Sequence, residues 1–175
     1  MAFRSVCPYL RVLAVVGLLL VPTMTTATAG ALPEPEGPVI LTVAGKIANT
    51  NVGNEAHFDM QMLKAMEQHD LHTTTPWTDG VQGFTGVLMR DLMETVGAYG
   101  ENLRAVALND YSYPIAIADF QEYPVLLAHT QNGERLRIRD KGPLWIVYPR
   151  DQFTKLREKV VEPRMVWQLR RLVIQ

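Results

Sequence analysis

The side chains that most often carry covalent or metal chemistry are few in this 175-residue chain. Its single cysteine, Cys7, lies near the N-terminus, ahead of an apolar run. The four histidines do not follow HExxH or a comparable metal-ligand spacing. Ser112 lacks the sequence context of a nucleophile elbow, and no glycine-rich phosphate loop occurs. The sequence therefore gives no support to a serine triad, a zinc site or a phosphate loop.

The N-terminal 31 residues have the pattern of a signal peptide. Arg4 and Arg11 precede an apolar run over residues 12–21, and a stretch of small residues follows at 27–31. An apolar run of about 10 residues is too short to cross a bilayer, which takes about 20. We therefore expect cleavage after Ala29 or Ala31 and a periplasmic or secreted product, with a permanent anchor as the alternative.

Removal of this leader leaves a chain without a thiol. Because Cys7 is lost with it, we expect the mature protein to hold no disulfide and no thiolate ligand. About 145 residues remain, which suffice for one domain with one core. A net charge of −1 argues against a nucleic-acid partner, since phosphates are usually met by a basic surface. Residues 32–37 are rich in proline and glutamate and predict a short, stiff tether to a domain over residues 38–175.

The first half of this domain predicts one strand and two helices. Residues 38–47 are apolar and rich in β-branched side chains, as is typical of a buried strand. Residues 59–69 carry apolar side chains at helical spacing, with Asp59 as the expected N-cap. A longer series at the same spacing predicts a second helix that ends at Gly97. The apolar members of that series are Phe84, Val87, Leu88, Leu92, Met93 and Val96.

The second half of the domain predicts mainly strands. Asn132 and Gly133 separate two strand-like runs at the spacing of a tight hairpin. Short strands outnumber helices, so we expect an α+β fold built on a mixed sheet or small barrel with flanking helices. The strand-like runs cover residues 104–108, 125–130, 136–138, 145–148 and 165–174, and residues 151–159 favour a short helical turn.

Several stretches, taken in order, resemble one known family. They are residues 75–80 leading into 84–87, then 107–112, 139–145 and 164–167. Together they resemble the molybdopterin-binding domain of sulfite oxidase-like proteins, over about residues 38–175. The sequence is most similar to the small periplasmic members that bind a free pterin and control a membrane-bound cyclic-di-GMP enzyme. The resemblance implies the sulfite oxidase-like molybdopterin-binding fold and a pterin ligand.

The sequence departs from the enzymes of this family at one position that matters for chemistry. Those enzymes hold molybdenum through a cysteine thiolate near the stretch that here consists of His72 and the threonines at 73–75. A threonine hydroxyl ionises too weakly at neutral pH to replace a soft thiolate ligand. We therefore expect a tetrahydropterin or a molybdopterin-like pterin as cofactor, and no molybdenum.

A pterin can be recognised at its edge. The edge presents a 2-amino group, a ring N–H and a carbonyl, and a carboxylate accepts two parallel N–H donors from it. Each charge-assisted hydrogen bond of this kind contributes about 1.5–3 kcal/mol. Asp140 is the first candidate, because it follows the strand predicted at 136–138 and precedes Gly142 and Pro143, which indicate a tight turn. The alternative is that Asp140 caps that turn.

Aromatic side chains can recognise the flat faces of a pterin. Trp77 is the candidate stacking platform, since Pro76 and Gly80 place it in a loop, and burial in the core is its alternative. Trp145 belongs to a buried strand and is expected in the core, whereas the position of Trp167 stays open.

The remaining candidates lie at strand ends and in loops. Asn109, Tyr111 and Tyr113 follow a strand, and the tyrosines offer both an aromatic face and a hydroxyl. An Asx turn with solvent-facing tyrosines is the alternative. Arg164 suits a hydroxyl or phosphate on the pterin, or else a surface ion pair with Glu162 or Asp151.

These observations favour a periplasmic pterin-binding sensor that is not itself a catalyst. By the resemblance, its partner is the periplasmic part of an inner-membrane cyclic-di-GMP cyclase or phosphodiesterase. Two alternatives stay open. One is a molybdopterin-dependent oxidoreductase that uses a noncysteine ligand or borrows one, and the other is an accessory subunit with an empty pocket.

Overall fold

Two five-stranded sheets form the frame of the protein in a computed structural model that describes Met1 and residues 32–175. The expected signal peptide and Cys7 lie outside the described residues. The strands are β1 (Leu41–Gly45), β2 (Ala56–Phe58), β3 (His69–Thr73), β4 (Gln82–Leu88), β5 (Asn102–Ala107), β6 (Ser112–Ala116), β7 (Leu126–Gln131), β8 (Glu134–Arg135), β9 (Trp145–Val147) and β10 (Leu169–Ile174). The helices are α1 (Met60–Ala65), α2 (Met89–Thr95) and α3 (Ala118–Glu122), and three 3₁₀ turns cover Ile138–Asp140, Thr154–Arg157 and Glu162–Arg164.

The first sheet joins the two ends of the described domain. Its strand order is β2-β1-β10-β5-β6, and β1 runs parallel to the last strand, β10, while the other neighbours are antiparallel. Gly45 ends β1 with a φ of +92° directly against the backbone of Ile174, where any Cβ would collide. This sheet places the β5–β6 turn beside the segment that enters β10.

The second sheet carries the long central strands. Its order is β3-β4-β7-β8, and β9 also pairs with β7. The ladder between β4 and β7 shifts register between Thr85 and Gly86, and the backbone of Leu127 leaves no room for a Cβ on Gly86. This sheet positions the loop after β3 next to the strand that contains Trp145.

One continuous hydrophobic core takes side chains from both sheets. Its largest fully buried members include Trp145, Tyr148, Phe58, Phe84 and Phe120. No helix among the described residues is long and apolar enough to cross a membrane.

The α+β class and several elements are confirmed. Asp59 caps α1 by accepting the amide of Met62 at 2.8 Å. The β7–β8 hairpin turns at Asn132 and Gly133, both with positive φ. Residues 151–159 include the expected turn at Thr154–Arg157. The sheets do not close into a barrel, so the mixed sheet is the one of the two expected forms that the structure shows.

Three predicted elements differ from the structure. The helix predicted from Phe84 begins only at Met89, because residues 82–88 form the central strand β4, paired on both sides. The strand predicted at 136–138 is absent, since β8 ends at Arg135 and residues 138–140 form a 3₁₀ turn. Strand β10 is also shorter than predicted, beginning at Leu169.

Residues 32–37 lie against the domain. Asp59 Oδ2 accepts the amides of Glu36 at 2.9 Å and Gly37 at 2.7 Å, and Asn51 Nδ2 donates to the carbonyl of Pro33 at 2.7 Å. Leu32 packs against the core. The segment predicted as a tether is thus hydrogen-bonded to the domain it precedes.

Candidate functional site

A cavity of about 380 Å³ opens between the loop after β3, the β5–β6 turn and the segment that leads into β10. Its volume lies in the range of small-molecule sites, about 300–1,000 Å³. Its wall is mostly apolar, with a few polar groups. The lining residues are Trp77, Ala107, Asn109, Tyr111, Lys159, Glu162, Pro163, Met165, Val166 and Trp167.

All three tryptophans of the protein gather at one side of this cavity. Trp77 meets Trp167 edge to face, with ring centroids 4.7 Å apart, and both rings line the cavity. Trp145 lies behind them, fully buried, with centroids 6.2 Å from Trp77 and 6.4 Å from Trp167. The indole N–H of Trp145 donates to the carbonyl of Met165 at 3.1 Å. The core thus fixes the two half-buried rings that a flat ligand would meet.

The β5–β6 turn supplies a second side of the cavity. The amide of Tyr111 donates to Asn109 Oδ1 at 3.2 Å, which is the Asx turn expected as an alternative, and Asp110 has a φ of +64°. The Tyr111 hydroxyl donates to the carbonyl of Pro163 at 3.4 Å, and burial raises the pKa of Tyr111, with a smaller contribution from Tyr113. Asn109 and Tyr111 therefore form the turn and line the cavity at once.

The third side is the turn Glu162–Arg164, which holds the only carboxylate among the lining residues. One Glu162 oxygen, Oε1, lies 3.6 Å from Nη2 of Arg150, whose side chain is 11% exposed. That arginine also donates to the carbonyls of Leu156 and Arg157. Lys159 also lines the cavity.

The turn is anchored from behind by a shared carboxylate. Arg164 Nη1 donates to Asp119 Oδ2 at 2.7 Å, and the buried hydroxyl of Tyr148 donates to the same oxygen at 2.7 Å. The Asp119 partner raises the pKa of Arg164 against an opposing effect of burial. Burial, followed by the Asp119 charge, also raises the pKa of Tyr148. Asp119 in α3 therefore ties the cavity wall to the core.

The structure brings together half of the residues that the sequence singled out. Trp77, Asn109 and Tyr111 line one cavity. Tyr113 lies on β6, half-buried against the core, and is not among the residues that line the cavity. Arg164 pairs with Asp119 rather than with the Glu162 or Asp151 expected for an ion pair.

Asp140 lies in a separate, polar depression together with Arg135 and Arg137. Its carboxylate accepts from Arg137 Nε at 2.6 Å and lies 3.6 Å from Arg139 Nε. The strand expected to place it is absent, and residues 138–140 turn away as a 3₁₀ turn. Its role toward a pterin stays a prediction, and it does not line the cavity with the tryptophans.

Several lining residues were missed as site candidates, most notably Glu162, Lys159 and Met165. Glu162 was considered only as a partner for Arg164. A local signal did exist, because Pro163 marks a turn directly before the stretch 164–167 that carries the family resemblance. The partner that orients Glu162, Arg150, comes from another loop and is not apparent from local sequence.

Residues 73–75, at the end of β3 and directly after it, are three threonines whose polar groups are hydrogen-bonded within the protein. The amide and hydroxyl of Thr74 donate to the two oxygens of Asp151 at 2.7 and 2.8 Å. Thr73 Oγ1 accepts the amide of Asp151 at 3.2 Å, and Thr75 Oγ1 lies 2.8 Å from Thr78 Oγ1. Within residues 32–175 no cysteine occurs and no three His, Asp or Glu side chains gather as a metal-binding group. This donor set does not fit a soft metal held by a thiolate.

Comparison with known proteins identifies the domain. The family described as oxidoreductase molybdopterin binding domain matches residues 41–162. Among solved structures, the sulfane dehydrogenase SoxCD from Paracoccus pantotrophus is similar with a TM-score of 0.56 and 18% identity, a likeness in fold. The match covers 77% of this chain but only 37% of that one. No match to a curated protein sequence was found. Because the family match spans more than half of the sequence, the chain belongs to the oxidoreductase molybdopterin binding domain family, the sulfite oxidase-like fold.

Proposed function

We propose that this protein binds a pterin in the cavity beside the tryptophan cluster and acts as a ligand sensor rather than as a catalyst. The observation that carries the proposal is the pair of half-buried indoles, Trp77 and Trp167, held by buried Trp145 at the wall of a 380 Å³ cavity. A fused bicyclic heterocycle suits such a wall, since stacking adds about 0.5–1.5 kcal/mol beyond simple burial. Membership in a molybdopterin-binding family supports a pterin as the heterocycle.

A metal-free ligand is the form that the donor set favours. The Thr73 hydroxyl donates to the carbonyl of Thr74 and accepts the amide of Asp151. The Thr74 hydroxyl donates to the Asp151 carboxylate, and the Thr75 hydroxyl is hydrogen-bonded to that of Thr78. None of them supplies the soft, anionic sulfur that molybdenum takes in the enzymes. The residues at the cavity do what binding requires: they stack, accept and donate.

The regulatory part of the proposal concerns location and partner. We infer export to the periplasm from the N-terminal pattern of residues 1–31 and control of an inner-membrane cyclic-di-GMP cyclase or phosphodiesterase from the family resemblance. Such control requires the partner to bind the liganded and empty forms with affinities that differ by about 1–3 kcal/mol. Mature N-terminal sequencing tests the export, with Leu32 or Gly30 as the expected first residue.

A second candidate is a domain of a molybdopterin-dependent oxidoreductase. The family description and the structural likeness to a dehydrogenase favour it. Because residues 32–175 hold no cysteine, the metal would in that case take a protein ligand of another type, or a ligand from another chain. The two candidates differ in a measurable quantity, because only the oxidoreductase needs molybdenum at the site.

Titration with a fluorescent pterin tests the proposed function. Trp77→Ala should weaken binding about 10- to 100-fold, since stacking of one base on an aromatic ring is worth about 1–3 kcal/mol by alanine substitution. Tyr99→Ala is the matched control, because Tyr99 is 68% exposed and does not line the cavity. Equal affinities for the two variants, or no binding by the unaltered protein, would contradict the proposed site.

A further inference from the structure

Glu162 is the one acidic residue among the described residues that line the cavity. It is half-buried in the turn Glu162–Arg164, and Trp167, Asn109 and Tyr111 line the same cavity. A carboxylate accepts up to two N–H groups from one donor edge, one at each oxygen. The lining of the cavity thus combines one acidic residue with aromatic side chains.

The acceptors of Glu162 are available to a ligand. Across residues 32–175 no donor forms a hydrogen bond with this carboxylate, and its nearest cation, Arg150 Nη2, stays at 3.6 Å from Oε1. Arg150 is held by two backbone carbonyls, so it positions the carboxylate without using up its lone pairs. By contrast, the Asp140 carboxylate already accepts from Arg137 at 2.6 Å.

We propose that Glu162 determines ligand specificity by accepting two parallel N–H groups from the edge of the bound heterocycle, its 2-amino group and the adjacent ring N–H. This inference rests on the proposed pterin-binding function and adds the residue that selects the ligand. The class selected is a 2-amino-4-oxo heterocycle. Its 2,4-dioxo counterpart, a lumazine, presents a carbonyl where the amino group would be, and that oxygen faces an anionic acceptor instead of donating to it.

A matched pair of ligands tests the inference on the unaltered protein. The expected result is that 6,7-dimethylpterin binds at least 10-fold more tightly than 6,7-dimethyllumazine in a calorimetric titration. The lumazine lacks one charge-assisted hydrogen bond, and its 2-oxo group faces an oxygen of the Glu162 carboxylate, so that two acceptors oppose each other. Equal affinities for the two ligands would overturn the role of Glu162 while leaving pterin binding in place. Binding of neither ligand would overturn the proposed function itself.

A pair of isosteric variants locates the effect. Glu162→Gln should weaken pterin binding about 10- to 100-fold and leave lumazine binding within about 3-fold, so that the preference nearly disappears. Glu158→Gln is the matched control, since Glu158 is an exposed residue four positions before Glu162 that does not line the cavity, and it should retain both the affinity and the preference. Retained lumazine binding shows in the same experiment that Glu162→Gln is folded. A preference that survives Glu162→Gln, or that disappears in Glu158→Gln, overturns the inference.

Discussion

Removal of the Asp119 carboxylate is expected to loosen the cavity wall and to destabilise the whole domain. Asp119 Oδ2 accepts from both Arg164 and Tyr148 at 2.7 Å, so Asp119→Ala deprives two donors of their partner at once. The Tyr148 hydroxyl belongs to a fully buried residue, whereas the Arg164 side chain is 28% exposed. The two losses therefore differ in cost.

The expected magnitude follows from these environments. A buried hydroxyl left without a partner costs about 1–3 kcal/mol. The Arg164 hydrogen bond contributes about 1 kcal/mol after allowance for water that reaches the guanidinium. Together the substitution should lower the free energy of unfolding by about 2–4 kcal/mol, a large part of the 5–15 kcal/mol typical of a domain.

Urea denaturation followed by tryptophan fluorescence measures this loss. With a slope of about 2 kcal/mol per molar urea, the midpoint should fall by about 1–2 M while the slope stays unchanged. Glu94→Ala is the matched control, since this exposed carboxylate on α2 has no ion pair among residues 32–175. In a double-mutant cycle, Tyr148→Phe should cost little further stability once Asp119 is absent. A midpoint like that of the Glu94 variant, or full additivity in the cycle, would refute the shared-acceptor reasoning.

Two further predictions concern other parts of the domain. Burial, aided by nearby positive charges, lowers the pKa of His129, so the folded state binds fewer protons than the unfolded state just below pH 6.5. The free energy of unfolding should therefore fall as pH drops from about 6.5 to 5. Urea titrations at several pH values in this range measure the fall, and His129→Asn should remove the part that His129 causes. An unchanged dependence of the free energy of unfolding on pH in this variant would contradict the assignment. Asp59→Ala removes the acceptor for the amides of residues 36–37 and for the first turn of α1. Hydrogen exchange at these amides should rise at least 10-fold relative to β1, and unchanged protection would show that another contact holds the segment.

The sequence predicted the fold class better than the boundaries of the elements, for a physical reason visible at β4. Strand β4 is paired on both sides and buries Phe84, Val87 and Leu88, so the alternation that marks a strand is lost. The same apolar residues fall at helical spacing by coincidence. The helix signal proper begins only at Met89.

The candidate site was predictable where local sequence alone places a side chain. Trp77 and the pair Asn109 and Tyr111 sit in turns marked by proline, glycine or Asx residues, and all three line the cavity. Asp140 was placed by a strand that the structure replaces with a 3₁₀ turn. Glu162 was missed as a ligand contact because its orientation depends on Arg150, a contact made only by folding.

The most direct test of the account is the content of the protein as cells make it. The protein is purified from cells that synthesise molybdopterin, the extract is assayed for pterin fluorescence, and the intact protein is assayed for molybdenum by mass spectrometry. We expect about one pterin per chain in the unaltered protein, far less in Trp77→Ala, and molybdenum well below the protein concentration. Stoichiometric molybdenum, or pterin retained equally by both proteins, would contradict it.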